Sequence, residues 1–170
     1  MTDTDDARRV LLERLAAGPA RIASVARRVA EAKSESRGRA SGGTTSGGTT
    51  SGGTPSGQWT ARDVVAHLAA VETVVFQARL DQLAAGEDPV WAWTEPGPLD
   101  APEAATLEGA LEVFAARRAA TVARVTGLDE AGWARSGTHA TYGRLDVAGL
   151  LGVVVDHDDE HLAGLVARAG

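Results

Sequence analysis

The chain has 170 residues and a formal charge of −6, a size that suits a single ordinary domain. It contains no cysteine, which excludes disulfides, thiolate metal sites and cysteine nucleophiles. The acidic balance argues against a nucleic-acid partner, and no apolar run approaches the roughly 20 residues of a membrane span. The acidic start of the chain also lacks the apolar stretch of a signal peptide, so we expect a cytoplasmic protein without a membrane partner.

The first 33 residues predict the N-terminal helices of a bundle. Acidic and hydroxyl side chains at the start are candidate N-caps for a short extra helix over residues 3–17. Gly18 and Pro19 follow, and this pair is typical of one helix ending and another beginning. The second helix is therefore expected over residues 19–33.

Residues 34–58 have the composition of an insertion. Eight of the 20 glycines fall within it, and the segment Ser-Gly-Gly-Thr occurs three times between residues 41 and 54. Such a segment buries too little apolar surface to offset the entropy of ordering it. We interpret it as a flexible Gly/Ser/Thr-rich insertion rather than a phosphate-binding loop, because no Gly-Lys-Ser/Thr motif follows it.

The remainder of the domain is expected from residues 59–170. Thr60, with an acidic residue three positions later, begins a capping-box pattern that predicts a helix over residues 60–85. Apolar residues at helical spacing predict two further helices, over residues 102–126 and 145–170. No stretch alternates with period two for long enough to indicate a sheet. The predicted fold class is all-α, a four-helix bundle.

Two of the four histidines, His157 and His161, are four residues apart in the last predicted helix. This spacing places both imidazoles on one face, one turn apart, as two ligands of one metal ion require. The same face carries Leu150, Val154 and Leu165, so the pair is expected to point into the bundle.

His67 occupies a similar position in the helix predicted over residues 60–85, beside Val64 and Leu68. Three imidazoles are thus expected to face inward, and each one buried without a partner would cost about 1–3 kcal/mol. A divalent cation with three neutral imidazole ligands would satisfy all of them and leave one open coordination position. From spacing alone, histidines that are satisfied separately in the core or at the surface stay the favoured alternative.

The surroundings of these histidines resemble the DinB-like metalloprotein superfamily. The family's second-helix segment is similar to the residues from Trp59 to Leu68, which include the His-Leu pair at His67. Residues 133–143 resemble the loop before its last helix, and His157 with His161 resembles that helix. The resemblance covers most of the chain after the insertion, and the helix after Pro19 more loosely.

The resemblance implies an up-down-down-up bundle with a divalent metal ion, often zinc or nickel, held by His67, His157 and His161. It also implies transferase or isomerase chemistry with a low-molecular-weight thiol such as mycothiol or bacillithiol, a small-molecule substrate, and a homodimer as an expected assembly. Because the chain has no cysteine, the nucleophile must be a borrowed thiol or water. A non-catalytic metal-binding or stress-responsive interaction protein stays an alternative, as does a metal-dependent hydrolase.

Other residues carry weaker expectations. The segment from His157 to His161 also matches the His-x-x-Glu-His pattern of zinc peptidases, but only nine residues follow it, too few for a distant third ligand. His139, beside Tyr142, is favoured as a packing residue over a pocket group. Arg118 lies on an apolar stripe and is expected to extend to the surface rather than bind substrate.

The acidic residues near the histidines are less clearly assigned. Glu72 is expected to pair away from the face of His67, and Asp159 to face solvent. Three further acidic residues either form hydrogen bonds with the histidines or face solvent, and the sequence leaves both roles open: Asp156, Asp158 and Glu160. All four tryptophans are expected to anchor the core or its loops, and two of them, Trp91 and Trp93, are candidates for a pocket wall.

Overall fold

A computed structural model describes residues 3–40 and 59–168 of the protein, and four long helical segments in it form a bundle. The first segment is α1, and the second is one continuous helix whose middle is a π turn between α2 and α3. The bounds are α1 Asp3–Ala40, α2 Ala61–Val71, the π turn Glu72–Gln77, α3 Ala78–Ala84, β1 Val90–Trp91, α4 Leu107–Thr126, α5 Glu130–Trp133, β2 Ser136–His139, β3 Gly143–Asp146 and α6 Val147–Val166.

The two ends of the core establish the direction of each helix. At one end, residues 22–29 of α1 pack against α2, the first half of α4 and the last turn of α6. At the other end, Leu15 of α1 packs against the π turn, α3, the last turns of α4 and the first half of α6. Helices α1 and α6 therefore run one way and α2 and α4 the other. This is the up-down-down-up order that the resemblance implied.

The predicted break at Gly18 and Pro19 is wrong, because α1 continues through both residues. A proline inside a helix leaves the carbonyl four residues earlier without its N–H donor. That carbonyl belongs to Leu15, and Nη1 of Arg118 donates to its oxygen at 3.1 Å. A side chain from α4 thus replaces the missing backbone bond, and the separate short N-terminal helix does not exist.

Helix α1 also ends later than predicted. It extends through residues 34–40, which the sequence had assigned to the start of the insertion. The repeats at residues 41–54 and the rest of the predicted insertion lie outside the described residues.

The other long helices each begin directly after an N-cap residue whose side chain accepts a backbone hydrogen bond. The Thr60 side chain accepts from the backbone N–H of Asp63 while the Asp63 side chain accepts from the backbone N–H of Thr60, so the predicted capping box is confirmed. Helix α4 starts later than expected, after its N-cap Thr106, because Pro102–Ala104 form a separate 3-10 turn. Helix α6 likewise begins after Asp146, whose side chain accepts from the N–H of Gly149.

The expectation of no sheet is also wrong. Strand β1 pairs in parallel with β2, and β2 pairs antiparallel with β3. Each strand has only two to four residues, too few for a period of two to be visible in the sequence. Strand β3 leads directly into α6, and strand β2 carries His139 at its end. Among the described residues, no helix is both long and apolar enough to cross a membrane.

Candidate metal centre

His67, His157 and His161 converge at one point inside the bundle. His67 projects from α2, and the other two project from successive turns of α6. The Nε2 atom of His157 lies 3.4 Å from Nε2 of His67 and 3.2 Å from Nε2 of His161. One nitrogen of each ring lies within 4.8 Å of the others. The structure thus brings together the three histidines that the sequence singled out.

The protonation state of His67 follows from its surroundings. Its Nδ1 lies 2.6 Å from the carbonyl oxygen of Pro96, and a carbonyl can only accept, so Nδ1 carries the proton. Nε2 of the neutral ring therefore presents its lone pair to the other two histidines. This is the arrangement in which a metal-binding histidine donates its second N–H to an outer acceptor. The ring of Trp59 packs against His67 with centroids 4.8 Å apart and helps to hold its orientation.

Protein groups alone cannot satisfy this cluster. Nε2 of His67 has no proton to give, so with neutral rings only one of the two short nitrogen–nitrogen contacts of His157 can be a hydrogen bond. The buried Nδ1 of His157 also has no hydrogen-bond partner among the described residues. A cation between the three nitrogens would accept all three lone pairs.

The spacing of the nitrogens fits a metal ion. Ligand nitrogens about 2.0–2.1 Å from a tetrahedral zinc ion are about 3.3 Å from one another. The two contacts of His157, at 3.4 Å and 3.2 Å, agree with that separation, and the nitrogens of His67 and His161 lie within 4.8 Å of each other. Three imidazoles are also a donor set that catalytic zinc sites use, with the fourth position left for water or substrate.

Burial keeps the three imidazoles neutral near pH 7. Loss of hydration, together with the neighbouring His161 and His67, lowers the pKa of His157 to about 3. Burial lowers the pKa of His161 to about 4. The pKa of His67 is also lowered by burial, although the Pro96 carbonyl opposes the shift. Neutral imidazole is the form that binds a metal.

A pocket of about 160 Å³ reaches the cluster at His157. The side chains on its apolar wall come from α2, the π turn and α6. Polar groups come from α3, the loop after β1, the end of β2 with the turn that follows it, and α6. Both Asp156 and Glu160 line it with exposed side chains beside His157. The pocket gives a small molecule a route to the open side of the cluster.

Arg118 does not extend to the surface, contrary to the sequence-based expectation. Its side chain is 2% exposed, and its Nε donates to Glu72 at 2.5 Å, while Nη1 and Nη2 donate to Asp158 at 2.6 and 3.0 Å. Thr121 donates a further bond to Glu72 at 2.5 Å. These acceptors replace the water that the guanidinium loses on burial. The prediction that Glu72 pairs away from His67 is confirmed.

This network connects the two helical segments that carry the histidines. Glu72 begins the π turn five residues after His67, and Asp158 follows His157 directly. Burial raises the pKa of both carboxyl groups, although the charge of Arg118 opposes the shift. The two carboxyl groups in turn raise the pKa of Arg118, which stays charged. Sequence analysis left Asp158 open and misassigned Arg118. The signal in the sequence was that Glu72 and Asp158 lie on the buried sides of two helices, which indicates a basic side chain inside the bundle.

The remaining candidates divide between the pocket and the surface. His139 is buried and lines the pocket, as does the exposed Trp93, whereas Trp91 is buried behind them. Asp159 is partly exposed and pairs with Arg14 and Arg21 of α1 rather than facing only solvent. Sequence reasoning missed Arg79, which also lines the pocket, because nothing in the local pattern distinguishes it from a surface arginine.

Comparisons with known proteins agree with this fold. The family model of the DinB superfamily matches residues 3–164. YfiT from Bacillus subtilis, described as a probable metal-dependent hydrolase with an unusual four-helix bundle topology, superposes with a TM-score of 0.64 at 16% identity over 99% of this chain and 88% of its own. At that identity the likeness concerns the fold alone. No curated protein is a significant match to the sequence.

Proposed function

Because the chain belongs to the DinB superfamily, we propose that His67, His157 and His161 bind one divalent metal ion and that the protein is a thiol-dependent transferase. The observation that carries the metal site is the convergence of three Nε2 atoms that cannot satisfy one another. Zinc or nickel fits three imidazole ligands. The open pocket at His157 favours a catalytic site over a closed structural one.

A divalent ion held by His67, His157 and His161 would supply Lewis acidity and would lower the pKa of a thiol or water bound to it. The chain has no cysteine, so the sulfur nucleophile comes from a small thiol such as mycothiol. Asp156 and Glu160 line the same pocket, and in this proposal one of them accepts the proton that the thiol releases. The sulfur then bonds to an electrophilic carbon of the substrate, and the leaving group departs with its electron pair.

Hydrolysis is the second candidate function. The carboxylates of Asp156 and Glu160 beside His157 could equally accept a proton from water. The description of YfiT as a probable metal-dependent hydrolase points in the same direction. The two candidates share the metal site and differ only in the nucleophile.

Metal content tests the site first. Elemental analysis of protein loaded with zinc or nickel and then desalted should give one ion per chain, and His67→Ala, His157→Ala and His161→Ala should each lose it. His139→Ala is the matched control, because His139 lines the pocket but is outside the cluster. A native protein that retains no metal would refute the proposed site.

A thiol assay then separates the functions. Metal-loaded protein with mycothiol and monochlorobimane should form the sulfur conjugate with release of chloride, and His157→Ala should reduce the rate to background. Hydrolysis of ester or amide substrates without added thiol would instead select the hydrolase. Stoichiometric metal with neither activity would leave a non-catalytic metal-binding protein and refute the transferase.

A further inference from the structure

Arg79 is a buried cation without an acidic partner. It lies at the start of α3, its side chain is 6% exposed, and no carboxylate among the described residues forms an ion pair with it. Among the described residues it makes one hydrogen bond, from Nη2 to the carbonyl oxygen of Ala92 at 3.0 Å. The ring of Trp91 lies 5.3 Å from the guanidinium carbon on the buried side. A desolvated cation of this kind is costly unless an anion joins it.

The acids of the pocket do not neutralise Arg79. Glu95, Asp156 and Glu160 line the pocket with exposed side chains, but none lies within ion-pair distance of the guanidinium. Burial lowers the pKa of Arg79, and no neighbouring carboxylate opposes that shift. The pocket therefore has a positive part at Arg79 that is separate from its acidic rim.

His139 adds a hydrogen-bond donor to this part of the pocket. Its Nδ1 accepts from the backbone N–H groups of Thr141 and Tyr142 at 3.0 and 3.4 Å, so the proton of the neutral ring is on Nε2. Within the part of the chain that the structure describes, Nε2 makes no hydrogen bond. Burial and the charge of Arg79 lower the pKa of His139, which keeps the ring in this neutral form.

We propose that Arg79 and His139 form an anion subsite that holds the carboxylate of a small organic substrate in the pocket of the metal centre. The guanidinium supplies the charge and unused N–H donors, and Nε2–H of His139 supplies a further donor. The assignment of this ligand as substrate rests on the proposed function, whereas its binding does not.

The walls of the pocket favour a carboxylate with an apolar body over inorganic phosphate. Val71, Val75, Phe76 and Val153 line the space that leads to His157. One guanidinium and one neutral imidazole match a single negative charge better than a phosphate dianion. The volume of about 160 Å³ is below the roughly 300–1,000 Å³ of drug-sized sites, which indicates a compact ligand.

Two exposed aromatic side chains extend this site at its mouth. Trp93 is 54% exposed and Tyr142 is 48% exposed, and their ring centroids lie 6.2 and 4.9 Å from that of His139. Exposed aromatic rings beside a fixed donor can contact a planar ligand. We therefore expect benzoate to bind more tightly than acetate.

Calorimetric titration of metal-free protein with benzoate, acetate and inorganic phosphate tests the subsite. Benzoate should bind most tightly, and Arg79→Met should weaken its binding at least tenfold. Arg9→Met, which removes the same charge from an exposed residue of α1, is the matched control and should bind as the native protein does. Equal benzoate affinity in Arg79→Met, or tighter binding of phosphate than of benzoate, would overturn the proposal.

A second variant and a measurement on the native chain avoid dependence on the folding of Arg79→Met. His139→Phe keeps a ring between Trp93 and Tyr142 but removes the donor, so it should weaken benzoate binding while metal content stays at the native level. In amide NMR spectra of native protein, benzoate should shift residues 92–95 and 139–142. Shifts confined to other parts of the chain would contradict the subsite.

The two proposals can fail separately. Stoichiometric metal binding together with benzoate binding that is insensitive to Arg79→Met would refute the anion subsite and leave the metal centre standing. Benzoate binding that depends on Arg79 in a protein that retains no metal would refute the metal centre and leave the anion subsite standing.

Discussion

Nη1 of Arg118 donates to the carbonyl oxygen of Leu15 at 3.1 Å, across 103 residues of sequence. That carbonyl is the one that Pro19 cannot satisfy, so the bond explains why α1 continues through a proline. The same guanidinium contacts Glu72 and Asp158, which lie close in sequence to His67 and His157. One side chain of α4 therefore joins α1 to both helical segments that carry the candidate ligands.

We predict that Arg118→Met destabilises the fold by about 3–5 kcal/mol, because it leaves two buried carboxyl groups without their basic partner. Urea unfolding of metal-free protein measures the change. Arg124→Met removes an exposed arginine of the same helix that pairs with Asp81, and should cost at most about 1 kcal/mol. Similar losses in the two variants would contradict the role of the buried network.

Gly18→Ala should also destabilise the protein, although alanine normally favours a helix by about 1 kcal/mol. A Cβ at this position would lie 2.7 Å from Oδ2 of Asp158 and 2.9 Å from Nη1 of Arg118, so the ion pair would have to move. We expect a loss of about 1–3 kcal/mol in chemical unfolding.

The control for this prediction is Gly164→Ala in α6, where a Cβ meets no other atom within 4 Å. That variant should be stabilised by about 0.5–1 kcal/mol through helix propensity. If Gly18→Ala and Gly164→Ala changed the unfolding free energy by the same amount, close packing at Gly18 would not explain the effect of Gly18→Ala.

The stability of the metal-free protein should depend on pH in a defined window. The native pKa values of about 3 for His157 and about 4 for His161 lie below the unfolded value near 6.5. Between these limits the unfolded chain binds more protons, so stability is fully present above about pH 6.5 and falls as the pH decreases towards 4. The expected slope is about 1.4 kcal/mol per pH unit for each of the two imidazoles.

Unfolding free energies at several pH values between 7.5 and 4 measure this slope. His157→Phe removes one of the two imidazoles and should give a shallower profile, and subtracting it from the native profile cancels the titration of the carboxyl groups. Parallel profiles for the two proteins would show that burial of His157 does not shift its pKa.

Metal binding should stabilise the native state by mass action. Free zinc at about 100 times its dissociation constant should raise the unfolding free energy by about 2.7 kcal/mol, and a chelator should reverse the gain. Thermal unfolding with and without zinc measures the effect. His161→Ala should show no gain, whereas a gain equal to that of the native protein would place the ion elsewhere.

The sequence by itself determined the features that depend on nearby residues. Helix caps such as Thr60, the apolar stripes and the four-residue spacing of His157 and His161 are local, because a helix brings residues three and four apart to one face. The apolar stripe around His67 made it the third candidate ligand, and the resemblance around Trp59 and His67 added the bundle topology. Together these observations were sufficient for the fold class and for the cluster of three histidines.

Only the tertiary structure decided the features that depend on distant partners. Pro19 would end a helix in isolation, but Arg118 supplies the missing donor from another helix. The sequence does not show that Arg118 and Arg79 are both buried, nor that the fold gives Arg118 two carboxylates and Arg79 none among the described residues. The physical reason is that the cost of burying a charge depends on the groups packed around it in space, and a local sequence pattern does not contain them.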